Sequence, residues 1–320
     1  MADMRASSGW WAATARLTGL LLTVGVATSR AGLLVHELLG HGAVALALGG
    51  SITNVKLFWF AGGWVRTSVE PAPFAQHATL LGGIAVELVV GIALWIALAR
   101  RTSLAARIAR ALGATLAAHG FFYLAAGTFH GFGDGALLHR ELGDARAPGA
   151  LAAGALSCAA AFLGARHVLG PLAATVPGAR SRRIAAMAVA VAVAGGLQLG
   201  VALGEVRLRR DDTYGAIMKT AAVRVSEAEL AAWLRAQEQR GVTVDAAARE
   251  ARAREIAARH RDVPFALVLG GMLALSVAAG AFRSRAPDAH PIISRRLARV
   301  AAAAAAGCLV ATIAIDAAFH

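Results

Sequence analysis

The sequence predicts an all-α polytopic membrane protein of about seven transmembrane helices, or eight if the N-terminal apolar stretch forms its own span. A membrane-associated β-hairpin and a small extramembrane helical hairpin complete the expected fold. Three observations carry this expectation. Of the 320 residues, 58% are hydrophobic and 16% charged, with a mean hydropathy of +0.60, against roughly 45–50% and about 25% in soluble globular chains. The apolar residues gather in runs long enough to cross a bilayer core, which takes a helix of about 20 residues. The basic residues sit mostly in short clusters between those runs, as topology signals do. The net charge of +13 is therefore loop punctuation and not a nucleic-acid footprint, and soluble enzyme folds are excluded.

Taken in order, residues 17–28 are apolar for only 12 residues, with Trp10 and Trp11 upstream as interfacial anchors. Arg5 and Arg16 precede this segment and Ala27, Thr28 and Ser29 follow it, a layout shared with secretory signals. Three readings stand: a cleaved signal, a separate span, or one long helix over about 17–49 bent near Arg30. The continuation or extra span is preferred because the small-residue cleavage site is weak. Full spans are expected at 31–49, 74–99, 104–127, 150–169, 184–203, 264–282 and 297–317. Residues 51–70 break the helical pattern: 55–60 and 64–69 are rich in β-branched and aromatic residues and are joined by Ala61, Gly62 and Gly63, which predicts a β-hairpin. Residues 207–262 form the sizeable polar segment. Ser226 and Glu229 make a capping box there, and Gly241 suits a helix end before Thr243 opens a second helix towards Ile256. The chain thus divides into a membrane core at 1–140 that includes the hairpin, further spans at 141–206, an extramembrane segment at 207–262 and C-terminal spans at 263–320. Cys158 and Cys308 both fall in apolar runs, so no disulfide framework or cysteine-based metal site is implied.

Segments 100–110, 166–183 and 283–299 lie on one side and hold 4, 4 and 5 arginines, against 2 basic residues in each of 50–73 and 128–148. The positive-inside rule makes the first set cytoplasmic, but the opposite side also carries the 12 basic residues of 207–262. What holds in either orientation is that the hairpin, the 128–148 loop and the 207–262 segment share one face.

The sharpest motif is His36-Glu37-Leu38-Leu39-Gly40-His41, inside an apolar run. Ionisable groups at membrane depth need a partner and mark function. Zinc supplies one, since neutral imidazoles bind it and a neighbouring carboxylate can take a proton from its bound water. The histidines are spaced i and i+5, which sets them about 140° apart on an α-helix. A one-residue π-bulge, with Gly40 as a plausible site, would bring them back to one face. A third ligand is then sought on the same side. Asp134, between Gly133 and Gly135 just after the 104–127 run, meets that condition. Glu87, within a second apolar run, could pair with the site, relay protons or pack as a neutral hydrogen-bonded residue. His119, His130 and His139 are competing ligand candidates. His77, His167, His260, His290 and His320 lie at span ends or outside the spans and receive no role.

HELLGH is also the zinc motif of the dipeptidyl peptidase III family, whose members are otherwise unlike this chain. Over roughly residues 30–140 the sequence resembles the site-2 protease family of intramembrane zinc metalloproteases. The resemblance rests on HELLGHGAVALALGG, the 51–70 hairpin, the helix bearing Gly83, Ile84, Ala85, Val86 and Glu87, and Gly133-Asp134-Gly135. The chain has one extra residue between the histidines, Glu87 where that family usually has Asn, and no Asn-Pro before Gly133. The resemblance implies His36, His41 and Asp134 as zinc ligands, Glu37 as general base, and a membrane protein or peptide as substrate within the lipid bilayer. The expected location is the cell (inner) membrane. The rival expectation is a non-proteolytic metal-binding membrane protein, either a transporter or an inactive relative that binds helices. A polar row crossing the whole bilayer would favour that rival, whereas polar residues confined to one half favour the protease.

Overall fold

The computed structural model describes residues 2–283 and 293–319, with side chains from residue 9 onward, so His290 and His320 lie outside the described residues. Helix α1 (Ala2–Leu34) runs without a break into a π-helical turn (Val35–Gly42) and then α2 (Ala43–Ala47). The long-helix reading therefore describes this region, with the change of winding at Val35 and not at Arg30. Strands β1 (Ser51–Leu57) and β2 (Gly63–Ser68) pair antiparallel with Leu57 opposite Gly63 and Val55 opposite Val65, and a bulge lies between Ile52 and Asn54.

Helix α3 (Pro73–Ala97) opens on proline, whose missing N–H costs nothing in a first turn. Helix α4 (Leu104–His130) is capped by Ser103, whose Oγ accepts from the Ala106 N–H at 3.2 Å, and ends at Gly131 with φ 71°. The following span is longer than the apolar run at 150–169. Helix α5 (Gly135–Leu142), a short 3-10 turn (Gly143–Ala145), α6 (Arg146–Gly164), a second π-helical turn (Ala165–Leu169) and α7 (Gly170–Ala173) follow one another. Arg140, Glu141, Asp144 and Arg146 conceal its first part from a hydropathy reading. Helix α8 (Arg180–Arg209) then leads to the polar segment.

That segment holds α9 (Asp212–Met218) and the expected helical hairpin, α10 (Ala221–Gln239) and α11 (Ala246–Arg259). Two caps differ from the sequence reading. Thr220 caps α10, accepting from Val223 N–H, so Ser226 sits inside the helix and donates to the Ala222 carbonyl, while Glu229 binds Arg259 and His260 of α11. Asp245, and not Thr243, caps α11, accepting from Ala248 N–H at 2.7 Å. Gly241, with φ 69°, does stand just past the end of α10. Helices α12 (Phe265–Phe282) and α13 (Arg295–Ala318) complete the chain.

Seven helices among the described residues are long and apolar enough to cross a membrane. Many of their large apolar side chains point outward, Leu267 and Leu275 being 77% and 71% exposed, as lipid-facing residues do. The protein is a multi-pass membrane protein. Its spans meet through small residues that let backbones approach. A Cβ on Gly40 would fall 2.4 Å from Gly83 Cα, and one on Gly135 would fall 2.3 Å from the Gly127 carbonyl carbon. Contacts fix the shared face: the hairpin bonds Glu205 of α8 and Asp316 of α13, and His130 bonds Asp262.

Candidate metal centre

Residues 35–42 close i→i+5 hydrogen bonds, and this winding brings His36 and His41 to one side, which an α-helix would not. The π-helical turn covers eight residues and includes Gly40. The ring centroids lie 5.1 Å apart. Across from them, Gly131 and Gly133 with positive φ and the tight Gly127–Gly135 contact turn the chain so that Asp134 enters the same space. Asp134 Oδ2 lies 3.0 Å from His36 Nε2 and 3.4 Å from His41 Nε2. All three side chains are buried, and their ligand atoms lie within 4.8 Å of one another. Among the described residues this is the group of three His, Cys, Asp or Glu side chains so arranged.

The hydrogen bonds on the far sides of the rings determine what these atoms can do. His41 Nδ1 is 2.8 Å from the Thr79 carbonyl, which can only accept, so Nδ1 carries the proton and neutral His41 presents a bare Nε2 lone pair. His36 Nδ1 donates to Glu87 Oε2 at 3.1 Å, which selects the same tautomer. Two nitrogen lone pairs therefore face one carboxylate oxygen, and Asp134 Oδ2 is buried without a hydrogen-bond donor. A cation between them removes that conflict. Ligands about 2.0–2.1 Å from a tetrahedral zinc stand about 3.3 Å apart, close to the separations seen. Space is kept by Gly83, where a Cβ would lie 2.6 Å from His41 Nε2 and 2.7 Å from His36 Nε2. Two nitrogens and an oxygen form the donor set of an open zinc site, so these residues fit the metal.

The other sequence candidates fall outside the ligand set. Glu87, 2% exposed, links His36 to His119, accepting from His119 Nδ1 at 2.8 Å through Oε1. It serves the outer side of a ligand, an arrangement that orients metal-binding histidines. His130 is not at the cluster. Its Nδ1 bonds Asp262 Oδ2 at 2.6 Å and its Nε2 accepts from the Ala266 N–H at 3.2 Å, which consumes both nitrogens. His139 binds the Thr128 and Phe129 carbonyls. Tyr123, which the sequence did not single out, packs edge-on against His36 at 5.6 Å and stacks on His119 at 5.9 Å.

Glu37, buried beside both ligands, makes no hydrogen bond or ion pair among the described residues and faces a cavity of ≈ 470 Å³. One wall of that cavity is β2, through Gly63, Trp64, Val65, Thr67 and the following Val69. On β1, the Leu57 N–H and carbonyl point away from β2, to Asp316 Oδ1 at 3.0 Å and Arg209 Nη1 at 3.2 Å. Antiparallel pairs alternate in this respect, so the backbone groups of its partner Gly63, and of Val65 two residues on, point away from β1, and both residues line the cavity. The turn between the strands is fixed from both sides. Arg30 donates to the carbonyls of Phe58, Phe60 and Ala61 at 2.7, 3.1 and 2.7 Å, and Glu205 accepts from the N–H groups of Trp59, Phe60 and Ala61 at 2.6, 2.6 and 3.2 Å. Arg30 lies 17 residues before the end of α2, roughly 25 Å of helix, so the hairpin runs back alongside that helix.

In comparison with known proteins, the chain matches no family model, no curated protein and no solved structure.

Proposed function

We propose that the chain is an intramembrane zinc metalloprotease of the site-2 protease type, acting in the cell (inner) membrane on peptide bonds of membrane-embedded substrates. The observation that carries this reading is the convergence of His36 Nε2, His41 Nε2 and Asp134 Oδ2 beside an unpartnered Glu37, at a cavity walled by an open strand edge. His36, His41 and Asp134 would hold the metal, which when bound supplies Lewis-acid polarisation of a carbonyl and lowers the pKa of water towards roughly 7. Glu37 takes the proton of the attacking water and passes it to the leaving amine. Glu87 and the Thr79 carbonyl keep both imidazoles in the ligating tautomer. A transmembrane helix has its backbone fully hydrogen-bonded and resists cleavage. An unwound segment can instead pair with the backbone groups of Gly63 and Val65, in the manner of strand addition.

The rival, a metal-binding transporter, calls for a polar row across the bilayer. His36, Glu37, His41 and Asp134 gather towards the end of their helices that carries the hairpin, with Glu87 and His119 beside them. Along α4 towards Leu104, the cavity lining is Ala118, Thr115, Ala114 and Ala111, and the next buried charge is Arg110. This distribution supports the protease. The test is metal analysis of the purified protein beside His36→Ala, His41→Ala and Asp134→Ala. One zinc per wild-type chain and a near-complete loss in each variant are expected, and unchanged zinc in all three ends the reading.

A further inference from the structure

Arg110 sits within the first two turns of α4, at the end of the molecule away from the metal cluster, and is only 8% exposed. Its guanidinium lies over Trp95 of α3, 4.1 Å from the ring centroid, and Trp95 meets His167 edge-on at 5.7 Å. Arg110 makes no hydrogen bond or ion pair among the described residues, and its Nε is buried without an acceptor. A guanidinium carries five N–H donors and cannot discharge, and a buried charge without a counterpart is costly. The surroundings add charge of the same sign, since Arg107 and Arg166 act on His167 together with Arg110. Residues 98–113 and 160–183 contain eight arginines and no Asp or Glu.

The chain neighbours of this cationic cluster, Ala111 and Val168, line an apolar cavity of ≈ 410 Å³ with Ala114, Phe122, Leu273 and Val277. From Ala111 to Phe122 the cavity follows α4 for roughly 16 Å, about half of a bilayer core. An unmet buried cation at the membrane face, beside an apolar slot one leaflet deep, has the chemistry of a lipid site. We propose that this end of the protein binds an anionic phospholipid, with its phosphate on the Arg110 guanidinium, supported by Arg107, Arg166 and His167, and one acyl chain in the cavity. Nothing in this inference depends on zinc.

The test uses the full chain in detergent, with lipid retention read by native mass spectrometry and stability by thermal unfolding. The probes are phosphatidylglycerol, phosphatidylcholine with the same chains, and inorganic phosphate. Wild type should retain phosphatidylglycerol over phosphatidylcholine, and Arg110→Gln should weaken that retention about five- to ten-fold. Arg101→Gln, which removes the same charge from the exposed loop on the same face, should stay within about two-fold. Several results would overturn the site: no preference in wild type, equal losses in Arg101→Gln and Arg110→Gln, or inorganic phosphate stabilising as well as phosphatidylglycerol. If Arg110→Gln does not fold, Arg166→Gln and the cavity-filling Ala111→Phe replace it, and full retention in both would likewise reject the proposal.

Discussion

At the hairpin turn, Arg30 meets three carbonyl oxygens and Glu205 meets three amides. At the neighbouring cluster, two imidazoles and a carboxylate turn lone pairs towards one another. Both centres are buried, both lie on the hairpin side, and both are built from residues that are expensive inside a membrane. They differ in completeness. In the clamp each charge finds groups of opposite polarity within the chain, so its work is finished when the protein folds. In the cluster Asp134 Oδ2 has no donor, and the missing partner has to come from outside. The clamp has its partners complete within the chain, whereas the cluster has the donor set that a cation would complete.

That contrast can be broken or sharpened by substitution. The largest effect is expected for Glu37→Gln, which should keep its zinc and lose about 10²–10⁴-fold in cleavage of a transmembrane substrate; cleavage at the wild-type rate would remove Glu37 from its role. Next, Arg30→Met should destabilise the protein by about 3–5 kcal/mol, because it strands three buried carbonyls, while Glu205 keeps its ion pair with Arg209. Thermal unfolding measures this, while zinc per folded chain should stay at the wild-type level; loss of zinc there would mean that the two centres are not separate. Glu87→Gln should weaken zinc binding about 10–100-fold in chelator competition through misorientation of His36, with a smaller loss of stability than Arg30→Met.

The smallest effect concerns the surface. Hydrogen bonding from His260, aided by Arg259, holds the Glu229 carboxyl below the usual carboxylate range. A depressed folded value gives stability that is present above the unfolded pKa and lost as pH falls through the folded one. Protection of the α10 and α11 amides, corrected for the intrinsic exchange rate, should therefore be steady from pH 7 to 5 and fall below about pH 4, and Glu229→Gln should remove that step.

Much of this arrangement was legible in the sequence because its signals are local. Apolar runs give spans, and seven were found where the runs lie. His36, Glu37 and His41 declare themselves by standing in such a run, and Asp134 follows from counting which side each loop occupies. The hairpin follows from its β-branched and aromatic residues. What could not be read is what depends on distant partners. Arg30, Glu205, Arg209 and Asp316 look like ordinary charges near span ends, yet they meet the hairpin from positions 28 to 259 residues away. The Thr79 carbonyl that sets the His41 tautomer carries no side-chain signature. Thr220 caps α10 ahead of Ser226 because the alanines that follow it continue the helix, and the attractive spacing of Ser226 and Glu229 masks an earlier start. His130 looked equivalent to other histidines near the site until its two nitrogens were accounted for.

The occupation of the outer side of β1 has a further consequence. With Asp316 and Arg209 standing where a third strand would bond at Leu57, the two-stranded sheet can be extended at β2 and not at that point on β1. Exposed strand edges invite uncontrolled pairing between molecules. Here two copies that joined hairpins through β2 would cover the cavity in front of Glu37. Pairing at that edge and entry of another strand in front of Glu37 would therefore compete for the same backbone groups.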